Sequence, residues 1–269
     1  MVNALRYEWT RIRTIRSTWW LSVIAVGFGV GLSLVAAIGT SVAFDSGHPP
    51  QARDVATMGP AITTQFAVLG APYFVAYILA MVGVFAWGHE YRHGMIRATL
   101  TALSSRSHAW LAKYVVVALW VGLVALVTLL GSALMAYLFL HDNGVPVWTP
   151  ATWRAIGRTV GYTVVFVWLA SAFTSLVRNQ TAALVLMFLW PLAVESVVSI
   201  IFAAVPALRT HADLTRFLPF HAGGRIIASQ HPGHLFGTPL SAWGGLVVFG
   251  GVTVVALVLS SVLFRRRDA

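Results

Sequence analysis

Six long apolar runs decide most of what this chain can fold into: Trp19–Phe44, Ala61–Trp87, Tyr114–Leu140, Thr159–Val177, Thr181–Val205 and Leu240–Phe264. About 20 apolar residues carry an α-helix across the hydrocarbon core of a bilayer. Each run meets or nearly meets that length, and together they take up more than half of the 269 residues. Their unbroken apolarity excludes a β-barrel, whose strands need only about 9–11 residues of alternating character. Composition excludes soluble domains: 58% of residues are hydrophobic and 10% charged, against about 25% charged in a soluble domain. The expected fold is an all-α polytopic membrane protein, a single transmembrane domain over residues 1–269. Its six spans are placed at about 19–44, 61–87, 114–140, 155–177, 181–205 and 240–264. The fourth begins before its apolar run because Arg158, about one turn inside, can snorkel outward.

The net charge of +10 reads as membrane topology, with no nucleic acid implied. With the N-terminal end in the cytoplasm, the inner segments hold Arg6, Arg11, Arg13, Arg16, Arg92, Arg97, Arg106, Lys113, Arg178, Arg265, Arg266 and Arg267. The outer segments hold Arg53, Arg154, Arg158, Arg209, Arg216 and Arg225. This is the positive-inside bias, and the opposite orientation would invert it. Both ends of the chain are therefore expected in the cytoplasm of a multi-pass protein of a bacterial inner membrane. There is no cysteine, so disulfide and thiolate chemistry is excluded.

Before the first span, Leu5, Trp9, Ile12 and Trp19 recur at helical spacing while Arg6, Arg11, Arg13 and Arg16 fill the rest. That pattern predicts an interfacial amphipathic helix with a basic face. In span one, Gly27 and Gly31 form a Gly-x-x-x-Gly pair suited to close helix packing. Pro72 is placed to kink span two. Spans four and five are joined only by Arg178-Asn179-Gln180, which predicts a tight antiparallel hairpin. The outer segment 206–239 mixes apolar patches with Gly223-Gly224 and four histidines. It is too hydrophobic for a solvent loop, and short helices re-entering the membrane would account for it where protein buries the backbone.

Between spans two and three lies the polar stretch Gly88–Lys113, GHEYRHGMIRATLTALSSRSHAWLAK. After the turn-prone Gly94, the residues Ile96, Leu100 and Leu103 fall at helical spacing. Within it, His89-Glu90-Tyr91-Arg92-His93 matches H-E-x-x-H, in which two histidines one turn apart bind zinc and the glutamate acts as base. A membrane-embedded zinc protease using His89, Glu90 and His93 is thus the alternative function. No third ligand is signalled, and the metzincin continuation is missing. A non-enzymatic structural membrane protein is a third reading.

A wider match covers more of the chain. Glu90-x-x-x-Gly94-x-x-Arg97, then Ser105-Arg106 and Lys113, resembles the ABC-2 type permeases, the membrane subunits of ATP-binding-cassette exporters. The resemblance extends to the basic N-terminal helix, the six spans and the long hydrophobic segment before span six. It departs at Arg92, Met95 and Ser104, where the family frequently has an acidic residue, Thr and Pro. It implies that Glu90–Leu103 is a cytoplasmic coupling helix, and that Glu90, Gly94, Arg97, Arg106 and Lys113 serve the contact with a separate ATPase subunit. It further implies two such ATPase subunits carrying ATP and Mg, a homodimer or close heterodimer of permeases in membrane lipid, and no cofactor bound by this chain. The transported substrate would be hydrophobic or amphipathic: a drug, lipid or peptide. Consistently, the chain has no G-x-x-x-x-G-K-[ST] loop, its one lysine being Lys113.

Two further groups stand out. Glu195 lies in mid-span, where an ionisable group costs about 2.5–3.5 kcal/mol on insertion scales and marks function by default. An intramembrane ion pair with Arg158 and a place in the substrate path are both open to it. His231 and His234 share a spacing that could clamp a metal, but a lone histidine pair in a loop more often binds nothing.

Overall fold

The computed structural model describes residues 1–46, 52–65, 73–92, 94–95, 105–228 and 240–266. Every regular element among them is helical. The chain begins with α1 (Val2–Thr14), which turns at Ile15 into α2 (Arg16–Asp45). There follow α3 (Ala52–Thr63), α4 (Val75–Arg92), α5 (Arg106–Leu140) and α6 (Pro150–Val177). The last three long elements are α7 (Gln180–Ala204), α8 (Pro219–Ile227) and α9 (Ala242–Arg266). Among the described residues, five helices are long and apolar enough to cross a membrane: α2, α5, α6, α7 and α9. The protein is thus an all-helical, multi-pass membrane protein.

The expected second span, 61–87, is not one helix. α3 contains Pro60 and ends at Thr63, and the chain then turns through Gln65, whose φ of 59° is left-handed. The next helix among the described residues begins at Val75. Pro72 lies outside the described residues. At 18 residues and 1.5 Å per residue, α4 is about 27 Å long, and its last turn is the polar His89-Glu90-Tyr91-Arg92. It is nonetheless the centre of the bundle, for most of its side chains are buried on all sides, against α2, α5, α6 and α7. α5 starts two turns earlier than the apolar run, so Arg106 and Lys113 belong to the helix itself.

Apolar side chains gain nothing by leaving lipid for a helix interface, so membrane helices pack through small residues that let backbones approach. The buried residues of α2 are Thr18, Ser22, Ala25, Gly29, Ser33 and Ala37, one stripe of small side chains laid along α5. At Gly29 a Cβ would collide with the Thr128 side chain. Gly27 and Gly31, expected to form the packing pair, would meet nothing within 4 Å if each carried a Cβ. They lie two residues to either side of Gly29, off the buried stripe, and face outward.

The tight hairpin between α6 and α7 is as the sequence predicts. Arg178 closes α6 in the left-handed region at φ 54°, and the Asn179 side chain caps α7 by accepting from the Ala182 amide at 3.0 Å. α7 is interrupted by a π-helical turn at Trp190–Val194, which contains Pro191. Beyond α7, the helix α8 is buried against α6 and α9, where Phe220 meets Phe166 and Phe249 at ring distances of 5.5 and 5.7 Å. The hydrophobic segment after span five therefore packs a helix into the bundle, as its composition demands.

Candidate functional site: a buried charge cluster

α1 is amphipathic, but its inner face is not purely apolar. Ala4, Glu8 and Ile12 are buried together, and Arg11 follows Glu8 by one turn. This face rests against α5. α4 brings Glu90 to the same place from its last turn, and α5 brings Lys113 from its second.

The four side chains form one cluster. Arg11 donates from Nη1 to Glu90 Oε1 at 2.8 Å and pairs through Nη2 with Glu8 Oε2 at 2.7 Å. Lys113 Nζ donates to the same Glu90 oxygen and lies 3.3 Å from Glu8 Oε1. Both cations also donate to the Ala86 carbonyl. Lys113 further sits 4.9 Å from the centre of the Trp87 ring, a cation–π contact. Two carboxylates and two cations leave no net charge, which is the condition for burying them at all. Glu8, Glu90 and Lys113 are each 2–3% exposed.

The backbone fixes Glu90 with care. α4 ends in a Schellman motif: the Met95 amide donates to the Glu90 carbonyl at 2.9 Å and the Gly94 amide to the Tyr91 carbonyl at 3.4 Å. Gly94 takes the left-handed φ of 63° that this cap requires. Glu90 thus ends a helix and does not begin one. A carboxylate there opposes the helix dipole, and Arg11 and Lys113 offset it.

Glu90 and Lys113, expected to meet an ATPase subunit, are buried within the chain and satisfy each other. Gly94 is exposed and shapes the cap. Arg106 is exposed at the start of α5. Arg97, and with it the central part of the predicted coupling helix, lies outside the described residues. His89 stacks on Phe85 at 5.1 Å, and His93 lies outside the described residues. Glu90 is already held by two cations, so it is not free to serve as the base of an H-E-x-x-H site. Among the described residues no group of three or more His, Asp or Glu side chains is placed to hold a metal. His231 and His234 are outside them.

Of the two readings open to Glu195, the first, an ion pair with Arg158, is not formed. Glu195 Oε1 accepts from the Phe220 amide and Oε2 from the His221 amide, each at 2.9 Å. These are free amides of the first turn of α8, so a carboxylate in one helix caps another, aligned with the dipole it favours. His221 Nδ1 lies 3.4 Å from Oε2. Arg158 lies on the exposed side of α6 beside Arg154, lining a cavity of about 260 Å³ with Thr57, Pro60 and Ile227.

Sequence reasoning missed Glu8, and it took Arg11 for part of a solvated basic face. The signal was present: Glu8 is the only acidic residue before Asp45, and it falls on the same helical face as Ala4 and Ile12. Partners of the cluster come from one end of the bundle. Near it Trp87 packs on Tyr114 and Phe264, and Arg178 covers Tyr91, so the ends of α4, α6 and α9 meet the starts of α5 and α7.

A comparison with curated proteins finds no match. A family model described as a protein of unknown function, DUF2705, matches residues 24–269. That is nearly the whole chain, from the third turn of α2 through α9, and the chain belongs to the DUF2705 family.

Proposed function

We propose that this chain is the permease subunit of an ABC-2 type exporter, moving a hydrophobic or amphipathic substrate with ATP hydrolysed by a separate subunit. The observation that carries the reading is the buried cluster of Glu8, Arg11, Glu90 and Lys113. The polar connection 93–105 is flanked by α4 on one side and α5 on the other. The cluster ties the end of α4 and the start of α5 to each other and to α1. A push on that connection by a soluble partner therefore reaches three elements at once, without moving the buried charges out of register. This is the mechanical property a coupling element needs.

On this reading the functional assembly holds two copies of the permease and two ATPase subunits, which bind ATP and Mg. Arg97 and Arg106 supply charge-assisted contacts to acidic groups on the ATPase, while Glu90 and Lys113 hold the frame behind them. Basic residues concentrated at the cluster end of the bundle support placing that end in the cytoplasm of a bacterial cell. A zinc protease is disfavoured by the engagement of Glu90.

The test is co-expression with the candidate ATPase, followed by reconstitution in lipid. Arg97→Glu and Arg106→Glu are expected to abolish co-purification and substrate-stimulated ATP hydrolysis by putting like charges where opposite ones met, with the elution volume of the permease unchanged. His89→Ala and His93→Ala are expected to leave both intact. Unchanged coupling in the two charge reversals would overturn the proposal. So would stoichiometric zinc that is lost on mutating either histidine.

A further inference from the structure

We infer that the cavity bounded by α1, α2 and α5 is a binding site for one anionic phospholipid, its acyl chain in the cavity and its phosphate on Arg13. The cavity has a volume of about 640 Å³, within the range of about 300–1,000 Å³ that small-molecule sites occupy. Its floor is a triad of tryptophans. Trp120 receives Trp9 and Trp19 edge-on, at ring distances of 5.9 and 5.0 Å. The indole N–H of Trp19 is held by the Arg13 carbonyl at 2.8 Å and that of Trp120 by Ser22 at 3.0 Å. The rings are therefore fixed, with their faces left for an apolar guest.

The remaining wall comes from Val23, Val26 and Gly27 on α2 and Leu123, Val124 and Val127 on α5. Gly27, which plays no part in helix packing, leaves the cavity open where a side chain would fill it. Val23 is 60% and Leu123 56% exposed, so the cavity opens sideways on the surface that spanning helices turn to lipid.

Charge selects the occupant. Among the described residues, Arg13 is the one charged group lining the cavity, and it stands at the end where the interfacial helix α1 meets α2. A cation there, beside an apolar slot floored by tryptophans, matches a lipid with a negative headgroup. A second copy of the chain fits the same face poorly. A second copy seated there would offer Arg13 no acidic side chain from α5, and from α2 only Asp45, at its far end. The inference needs only the membrane character of the protein and stands apart from the exporter reading.

Native mass spectrometry of the delipidated protein, with dioleoyl phosphatidylglycerol or dioleoyl phosphatidylcholine added back and no ATPase present, tests it. The unmodified chain is expected to retain one phosphatidylglycerol in preference to phosphatidylcholine. Arg13→Gln should cut that preference about fivefold, the worth of one basic side chain at an anionic surface. Gly27→Leu should remove binding of both lipids by filling the slot. Arg6→Gln, on the same helix but outside the cavity, should change nothing. Equal retention of the two lipids would overturn the inference, as would a preference that survives Arg13→Gln or falls equally with Arg6→Gln. A dimer that Gly27→Leu dissolves while lipid retention persists would show a subunit interface instead. Because ATP hydrolysis is not read, failure here leaves the exporter proposal standing.

Discussion

Glu90 and Glu195 are both carboxylates buried within a membrane bundle, 3% and 1% exposed, yet they are neutralised in opposite ways. Glu195 is met chiefly by backbone, two amides of α8, one to each oxygen, with the Trp190 and His221 side chains beside it. Its position is as fixed as the helix it caps. Glu90 is met by side chains from two other helices, both on the same oxygen. Among the described residues, one oxygen of its companion Glu8, Oε1, has an ionic contact to Lys113 and no hydrogen bond. The cluster therefore has acceptor capacity to spare, and its cations can exchange partners without leaving it. The first arrangement is a rivet that fastens α8 to α7. The second is a joint, and it sits where the polar connection between α4 and α5 begins and ends.

The largest effects should come from breaking the joint. Glu90→Gln leaves Arg11 and Lys113 facing Glu8 alone, and Lys113→Met leaves two carboxylates facing Arg11. Each strands a buried charge, at a cost of about 3–5 kcal/mol. The double variant restores a balanced Glu8–Arg11 pair and should recover much of the loss. A thermal-melt cycle in detergent reads this directly. Additive losses would show that Glu90 and Lys113 do not act on each other.

At the rivet, Glu195→Gln keeps one carbonyl oxygen to accept an amide but turns an N–H₂ group toward the other. The expected loss is about 1–3 kcal/mol, the range for one unsatisfied buried group. No second substitution of a cation should rescue it, because two backbone amides, and no lysine or arginine, hold Glu195. That difference in rescue is the sharpest test of the contrast between the two sites. A smaller effect is expected at the backbone that positions Glu90. Gly94→Ala forces a Cβ into the left-handed region at a cost of about 1–2 kcal/mol, and Gly94→Asn should cost less. Equal melting of both variants and the parent would mean that the Schellman cap does not fix the end of α4.

Five of the spans were legible because hydropathy averages over a window and needs no partner to be known. The break near Gln65 was not, since it rests on one residue in a left-handed conformation that composition does not report. Glu90 and Lys113 were singled out by position, but their burial depends on Glu8 and Arg11 arriving from α1, and Arg11 precedes Glu90 by 79 residues. Glu195 could be recognised as a charge needing a partner. That partner is a pair of backbone amides, which have no residue-type signature, and the nearest hint was Pro219, suited to the first position of a helix. Span one held both a conspicuous glycine pair and an inconspicuous stripe of small residues. The stripe does the packing because it matches the facing ridge of α5, a fact about two helices that neither sequence segment contains alone.

The smallest predicted effect separates the two carboxylates from a third charge that sequence had linked to one of them. Arg158 is exposed on α6 and makes no pair with Glu195, so Arg158→Gln should change stability by no more than about 0.5 kcal/mol, as for most exposed positions. Combined with Glu195→Gln, it should add nothing beyond the sum of the two, because residues without shared partners do not couple. A coupling above about 0.5 kcal/mol would mean that Glu195 exchanges its α8 amides for Arg158 in a substantial part of the population. Glu195 would then be a second joint, and the contrast between a fixed and a movable carboxylate would collapse. A coupling near zero, measured beside a large one between Glu90 and Lys113 in the same detergent, would place the adaptable charge at one end of the bundle only.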